Sequence, residues 1–127
     1  MKLFGGGKIE EKRKAALAFA QAIGKQPSLA ECKQLEAMTK ELIDAGYWQA
    51  HESLFGLYGK MIWATLDHGQ IDLEDASNEK RAEIMSYATL GSMHVGLFLE
   101  KSGKISQEQL DNAKAFQQEF KKYYLGQ

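Results

Sequence analysis

The chain has 127 residues, of which 44% are hydrophobic and 26% are charged, and its formal net charge is −1. This length suits one domain with its own core, and the composition is too apolar for a disordered chain. The near balance of charge excludes a global attraction for nucleic acid or for an anionic membrane. We expect one folded domain over residues 1–127.

The residue types and their spacing favour helix along nearly the whole chain. Ala, Leu, Lys, Gln and Glu are plentiful, and the only proline is Pro27. Apolar residues recur every three to four positions, as on the buried face of an amphipathic helix. We therefore predict an all-α fold, a compact single-domain bundle of about five helices. The predicted helices cover residues 8–24, 28–45, 47–67, 75–102 and 106–124.

Short motifs mark where these helices begin and end. Ser28 followed by Glu31 predicts a capping box, in which each side chain bonds the other residue's backbone amide. Ser106 with Gln109 repeats this pattern before the last helix. Gly69 is expected to end the third helix in the left-handed conformation.

The sequence indicates a reducing compartment and no membrane segment. Cys32 is the only cysteine, so the chain contains no intramolecular disulfide and no Cys-x-x-Cys pair. Residues 1–7 end in three glycines, lack the apolar core of a signal peptide and are predicted to be a flexible tail. The longest uncharged stretch, residues 84–99, is shorter than the roughly 20 residues of a membrane span. We expect a cytoplasmic protein.

Two glycines inside the third helix indicate a close approach by another group. Gly56 and Gly59 each cost a helix about 1 kcal/mol relative to alanine, and Trp63 follows one turn later. The fourth helix carries a stripe of small residues, Ala88, Ser92 and Gly96. The simpler interpretation is a tight crossing of these two helices with Trp63 at its edge. The alternative is a notch that admits a ligand or a partner side chain.

The best candidate site is a line on the fourth helix formed by Tyr87, Gly91 and His94. Gly91 leaves a gap between a phenol and an imidazole, where a planar or polar small molecule could bind. The simpler interpretation is a buried histidine that is hydrogen-bonded within the core. With Trp63, these residues form the predicted ligand or partner site.

No pattern for metal or covalent chemistry is found. His51 could face His94 across the core, but two histidines without carboxylates in register do not make a metal site. Cys32 belongs to an apolar stripe and is predicted to be a small core residue. We therefore predict no catalytic residue, no metal and no cofactor.

The remaining function class is binding. A basic recognition helix is missing, and the two lysines and two tyrosines at 121–124 are a weak signal, so nucleic acid is not an expected partner. By elimination, we predict a non-catalytic protein that acts by protein-protein interaction, as an adaptor, an inhibitor or an immunity-type module. The alternative is a small-molecule sensor or carrier with a pocket between the third and fourth helices. A homodimer through the apolar fourth helix is also considered.

Overall fold

The computed structural model describes residues 2–125, with side chains described for 9–119 and for Lys122. The five helices are α1 (Lys2–Ile23), α2 (Leu29–Asp44), α3 (Ala50–Thr65), α4 (Asn78–Lys101) and α5 (Gln107–Leu125). Two short 3₁₀ turns, Asp67–Gly69 and Leu73–Asp75, connect α3 to α4. The described residues contain no strand, and the predicted all-α bundle is confirmed.

Three helices begin three or more residues from the predicted position, and one of them is α3, which begins at Ala50 and not at residue 47. α1 begins at Lys2 and not at residue 8, so the helix includes residues 2–7, where a flexible tail was predicted. Glycines weaken a helix without forbidding it, because helical backbone angles remain open to them. α4 begins later than residue 75, at Asn78, because the Ser77 hydroxyl accepts a hydrogen bond from the Lys80 amide at 3.2 Å and caps the helix there.

Both predicted capping boxes are confirmed. The Ser28 amide donates to Glu31 Oε1 at 2.9 Å, and the Glu31 amide donates to Ser28 Oγ at 3.1 Å. At α5, the Ser106 amide donates to Gln109 Oε1 at 3.0 Å, and the Gln109 amide donates to Ser106 Oγ at 3.2 Å. Each cap satisfies two amides that a helix start leaves without partners.

Each helix packs against the one that precedes it in the chain, and α3 with α4 forms the most extensive pair. Cys32 is completely buried, which confirms its predicted place in the core. The buried residues of the central core come from the first four helices: Ala16, Cys32, Leu35, Leu42, Ala50, Leu54, Leu57, Tyr58, Met61 and Tyr87. Because α1 and α3 both pack on α2 without closing on each other, a groove remains between them.

Candidate functional site

The predicted residues Tyr87, Gly91 and His94 lie together on the face of α4 that packs against α3. All three are buried, with only 9% of Tyr87 and 8% of His94 exposed. Trp63 lies elsewhere on α3 and is 48% exposed. The structure therefore brings three of the four predicted residues together inside the protein, and it places Trp63 at the surface.

The gap that Gly91 leaves between Tyr87 and His94 is filled by α3. A Cβ atom at Gly91 would lie 3.5 Å from Tyr58 Cβ and 3.6 Å from Phe55 Cδ1. These are ordinary van der Waals distances, so the two helices are already in contact at this position. Side chains of the protein itself therefore occupy the space where the sequence suggested a binding site for a planar small molecule.

Trp63 contacts the turn that follows α3. A Cβ atom at Gly69 would lie 2.8 Å from Trp63 Cη2, which is too close for any side chain. Gly69 also has a φ of 92°, so the predicted left-handed backbone is confirmed, but α3 ends four residues earlier, at Thr65, and not at Gly69. The indole ring therefore covers this turn and does not fill the edge of a helix crossing.

The tight helix crossing predicted at Gly56 and Gly59 is wrong. Both glycines are exposed, and a Cβ atom at either position would have no heavy atom within 4 Å. The close approach of α3 and α4 depends instead on Gly91, whose neighbours belong to α3. Ala88 and Ser92 are exposed as well. The sequence identified α3 and α4 as the helices that cross, but the glycine at their contact is Gly91 of α4 and not Gly56 or Gly59 of α3.

His51 and His94 form a buried pair across the α3–α4 interface. Their Nδ1 atoms are 2.8 Å apart, and each side chain is 8% exposed. The ring planes are inclined by 26°, and the ring centroids are 5.0 Å apart. If the two Nδ1 atoms point directly at each other, the ring centroids are about this far apart, whereas stacked rings would bring the centroids closer together. The two rings therefore meet edge to edge, with their Nδ1 atoms facing. The expectation that His51 could face His94 is confirmed.

The environment of this pair favours neutral imidazoles. Burial lowers the pKa of His94 to about 4, and the adjacent His51 and Lys40 act in the same direction. Burial also lowers the pKa of His51, with Lys101 as a second cause. At neutral pH the short contact is therefore an N–H···N hydrogen bond between two neutral rings.

Two tyrosines extend the pair into a buried aromatic cluster. The Tyr58 ring centroid is 5.9 Å from that of His94 and 6.2 Å from that of Tyr87. The Tyr58 hydroxyl donates to Glu36 Oε2 at 2.5 Å, and burial together with this bond raises the pKa of Tyr58. The same Glu36 oxygen lies 3.3 Å from Lys40 Nζ. The two Nδ1 atoms and the Tyr58 hydroxyl thus have hydrogen-bond partners within the protein.

The groove between α1 and α3 has α2 as its floor and a volume of about 440 Å³. The floor is formed by Leu35, Thr39 and Leu42 of α2. Its walls are Ala16, Leu17 and Ala20 of α1, and Ala50, Gly56 and Leu57 of α3. The groove therefore offers an apolar interior, and Leu17 adds an apolar side chain that is 60% exposed.

The edges of the groove are mainly basic. Arg13, Lys14 and Lys60 line it, against one acidic residue, Glu10. Arg13 donates to Glu10 at 2.8 Å, and its guanidinium lies 4.8 Å from the centroid of the Tyr47 ring. Lys14 on α1 and Lys60 on α3 form no ion pair with another described residue. Positive charge therefore remains available on both sides of the groove.

The sequence pattern did not predict this groove. Its walls are α1 and α3, which are not consecutive in the chain. The distance between these two helices depends on how each of them packs on α2. The available signal was Gly56, for which a notch was the alternative interpretation. A second signal was Leu17, an apolar residue next to Ala16, which belongs with Phe19, Ala20 and Ile23 to the apolar stripe of the first helix.

Comparison with known protein families, with curated proteins and with solved structures found no match to this chain. Within residues 2–125, no helix has the length and apolar character needed to cross a membrane. No three His, Cys, Asp or Glu side chains among the described residues come together as a metal site would require. The functional interpretation therefore rests on the geometry of the described surfaces.

Proposed function

We propose that this protein is a non-catalytic binding protein that holds an acidic amphipathic helix of another protein in the groove between α1 and α3. The observation that carries the proposal is the open apolar groove itself, with Gly56 unfilled on its α3 wall. A groove between two helices that rest on a third is a common seat for an amphipathic helix.

The shape of the groove suits apolar anchors that are spaced along one helix face. Such a partner inserts side chains at every third or fourth position and leaves its polar face in water. Gly56 has no heavy atom within 4 Å of a potential Cβ, so a large anchor can approach the α3 backbone there. The exposed Leu17 side chain can cover the same anchor from the α1 side. Burial of these apolar surfaces supplies the main favourable free energy.

The charge of the groove favours an acidic partner. Lys14 and Lys60 stand on opposite walls, so carboxylates on both flanks of a bound helix would meet a cation. Complementary charge of this kind raises the association rate and selects among partners more than it adds affinity. A homodimer through α4 has less support, because the buried face of α4 lies against α3, and Gly96 contacts Leu110 of α5.

Site-specific photocrosslinking tests the proposal. A benzophenone amino acid at Gly56 is compared with the same group at Gly59, which is equally open and lies on the same helix but does not line the groove. In cells that express the protein at its native level, we expect a discrete adduct from position 56 and none from position 59. No adduct at position 56, or the same adducts from both positions, would contradict the proposal.

Charge reversal then tests the acidic character of the partner. Lys14→Glu combined with Lys60→Glu should reduce the adduct from position 56 by about tenfold, since two favourable charge pairs become repulsive. The matched control reverses Lys25 and Lys33, which are exposed and do not line the groove. Equal loss in both double variants would show that net charge, and not the groove, determines binding.

A further inference from the structure

The contact between His51 and His94 has room for one proton and not for two. An imidazole nitrogen donates when it is protonated and accepts when it is bare, so an Nδ1···Nδ1 distance of 2.8 Å requires one proton between the atoms. If one ring becomes an imidazolium, its Nδ1–H can still donate to the other ring, whose single proton then lies on Nε2. When both rings are imidazolium, two positive N–H groups face each other at that distance. Because both side chains are buried, little water is available to separate the charges.

We propose that His51 and His94 form a proton-operated latch between α3 and α4, which is closed while one proton lies between the two Nδ1 atoms and opens when both Nδ1 atoms are protonated. The latch is a property of the α3–α4 interface and does not depend on the groove between α1 and α3. Its failure in a test would therefore leave the proposed function standing.

The charged groups around the pair do not offset a second proton. From α2, Lys40 opposes protonation of His94, and Glu36 favours it. From α4, Lys101 opposes protonation of His51. Glu36 is already bound to the Tyr58 hydroxyl and lies near Lys40.

Tyr58, which packs on His94, and Tyr87, which packs on Tyr58, carry no charge to compensate the second proton. Burial raises the pKa of both Tyr58 and Tyr87, so both phenols stay neutral. Among the described residues, Glu36 is the one carboxylate that acts on either histidine, and it is already bound to Tyr58 and Lys40. Separation of the two rings is the remaining way to relieve their repulsion.

Because the histidine pair lies inside the α3–α4 interface, protonation of the pair affects the contact between these two helices. α3 and α4 form the most extensive helix pair, and the histidines lie inside it. Trp48, just before α3, is 5.6 Å from Phe98 of α4 between ring centroids. An opening that separates the histidines also separates these two rings, so Trp48 fluorescence reports the state of the latch.

The test follows opening in the complete chain between pH 7 and pH 5. Trp63→Phe leaves Trp48 as the only tryptophan, and hydrogen exchange measures the population of the open interface. We expect that population to rise at least about twentyfold over this interval, which is the rise that protonation of His94 alone would produce, together with a change in Trp48 emission. The matched control is His68→Asn, which removes the only other histidine and suits the positive φ of 53° at that position. This control should keep the full response.

The double variant His51→Leu/His94→Leu removes both partners at once, so no buried imidazole is left unpaired. It should lose most of the response between pH 7 and pH 5. If it does not fold, nitrogen NMR of the unaltered protein decides. We expect one protonated and one bare Nδ1 at pH 7, with both rings titrating in the same step as the change in Trp48. Independent titration of both histidines near pH 6.5, without any change at Trp48, would overturn the proposal.

Discussion

Replacing Gly59 with leucine should stabilise the protein by about 0.5–1 kcal/mol. Glycine in a helix interior costs about 1 kcal/mol relative to alanine, and leucine is nearly as good a helix former as alanine. The structure adds no steric cost, because a Cβ atom at Gly59 has nothing within 4 Å. The residue lies in the middle of α3, the central helix, yet it faces open space.

The same substitution at Gly91 should have the opposite effect. A Cβ atom there fits at 3.5 Å from Tyr58, but the remaining atoms of leucine must displace Tyr58 or Phe55. Tyr58 is only 1% exposed and is held by Glu36, so it cannot move outward. Overpacking costs about 1–3 kcal/mol, and the gain in helix propensity offsets about 1 kcal/mol of it. We expect a net loss of up to about 2 kcal/mol.

Urea denaturation followed by far-ultraviolet circular dichroism measures both variants against the unaltered protein. Gly91→Ala serves as the control, because one methyl group makes only ordinary contacts, so this variant should be at least as stable as the parent. A loss of stability in Gly59→Leu, equal to that in Gly91→Leu, would refute the placement of Gly59. It would show that another helix approaches α3 at that face.

Two further predictions concern the buried cluster. The free energy of unfolding should fall by about 2 kcal/mol between pH 7 and pH 5, because His94 has a pKa of about 4 in the folded protein and about 6.5 when unfolded. As the pH falls, His94 is protonated at a higher pH in the unfolded chain than in the folded protein. The stabilisation is therefore complete above about pH 6.5 and is lost as the pH falls toward 4. Equal urea midpoints at pH 7 and pH 5 would contradict this prediction. Tyr58→Phe should cost about 1–3 kcal/mol in thermal or urea denaturation, since Glu36 loses a hydrogen-bond donor in a half-buried site. A neutral result would show that solvent replaces the phenol.

The local structure could be predicted from the sequence where short-range chemistry determines it. Ser28 and Glu31 are three residues apart, and a helix start needs amide acceptors, so the capping box follows from the residues themselves. Cys32 lies on an apolar stripe and is buried for that reason. The facing of His51 and His94 followed from their places on the apolar faces of adjacent helices.

The surroundings of Gly56 and Gly59, and the presence of the groove, could not be predicted in this way. Gly56 and Gly59 indicate only that side chains are missing, and the same signal fits a close contact and an open surface. The stretch 84–99 is uncharged around the whole helix, so its pattern does not single out the face that carries Gly91. The groove depends on the distance between α1 and α3, which no local pattern encodes.

The most direct measurement of the central claim is the affinity of the partner helix, identified through the adduct at position 56, for two tryptophan variants. Gly56→Trp fills the groove, and Gly59→Trp adds the same side chain to equally open space one turn away. Calorimetry should show affinity reduced about tenfold or more, at least about 1.4 kcal/mol, in Gly56→Trp, and nearly unchanged in Gly59→Trp. Full affinity in Gly56→Trp, or an equal loss in both variants, would contradict binding in the groove between α1 and α3.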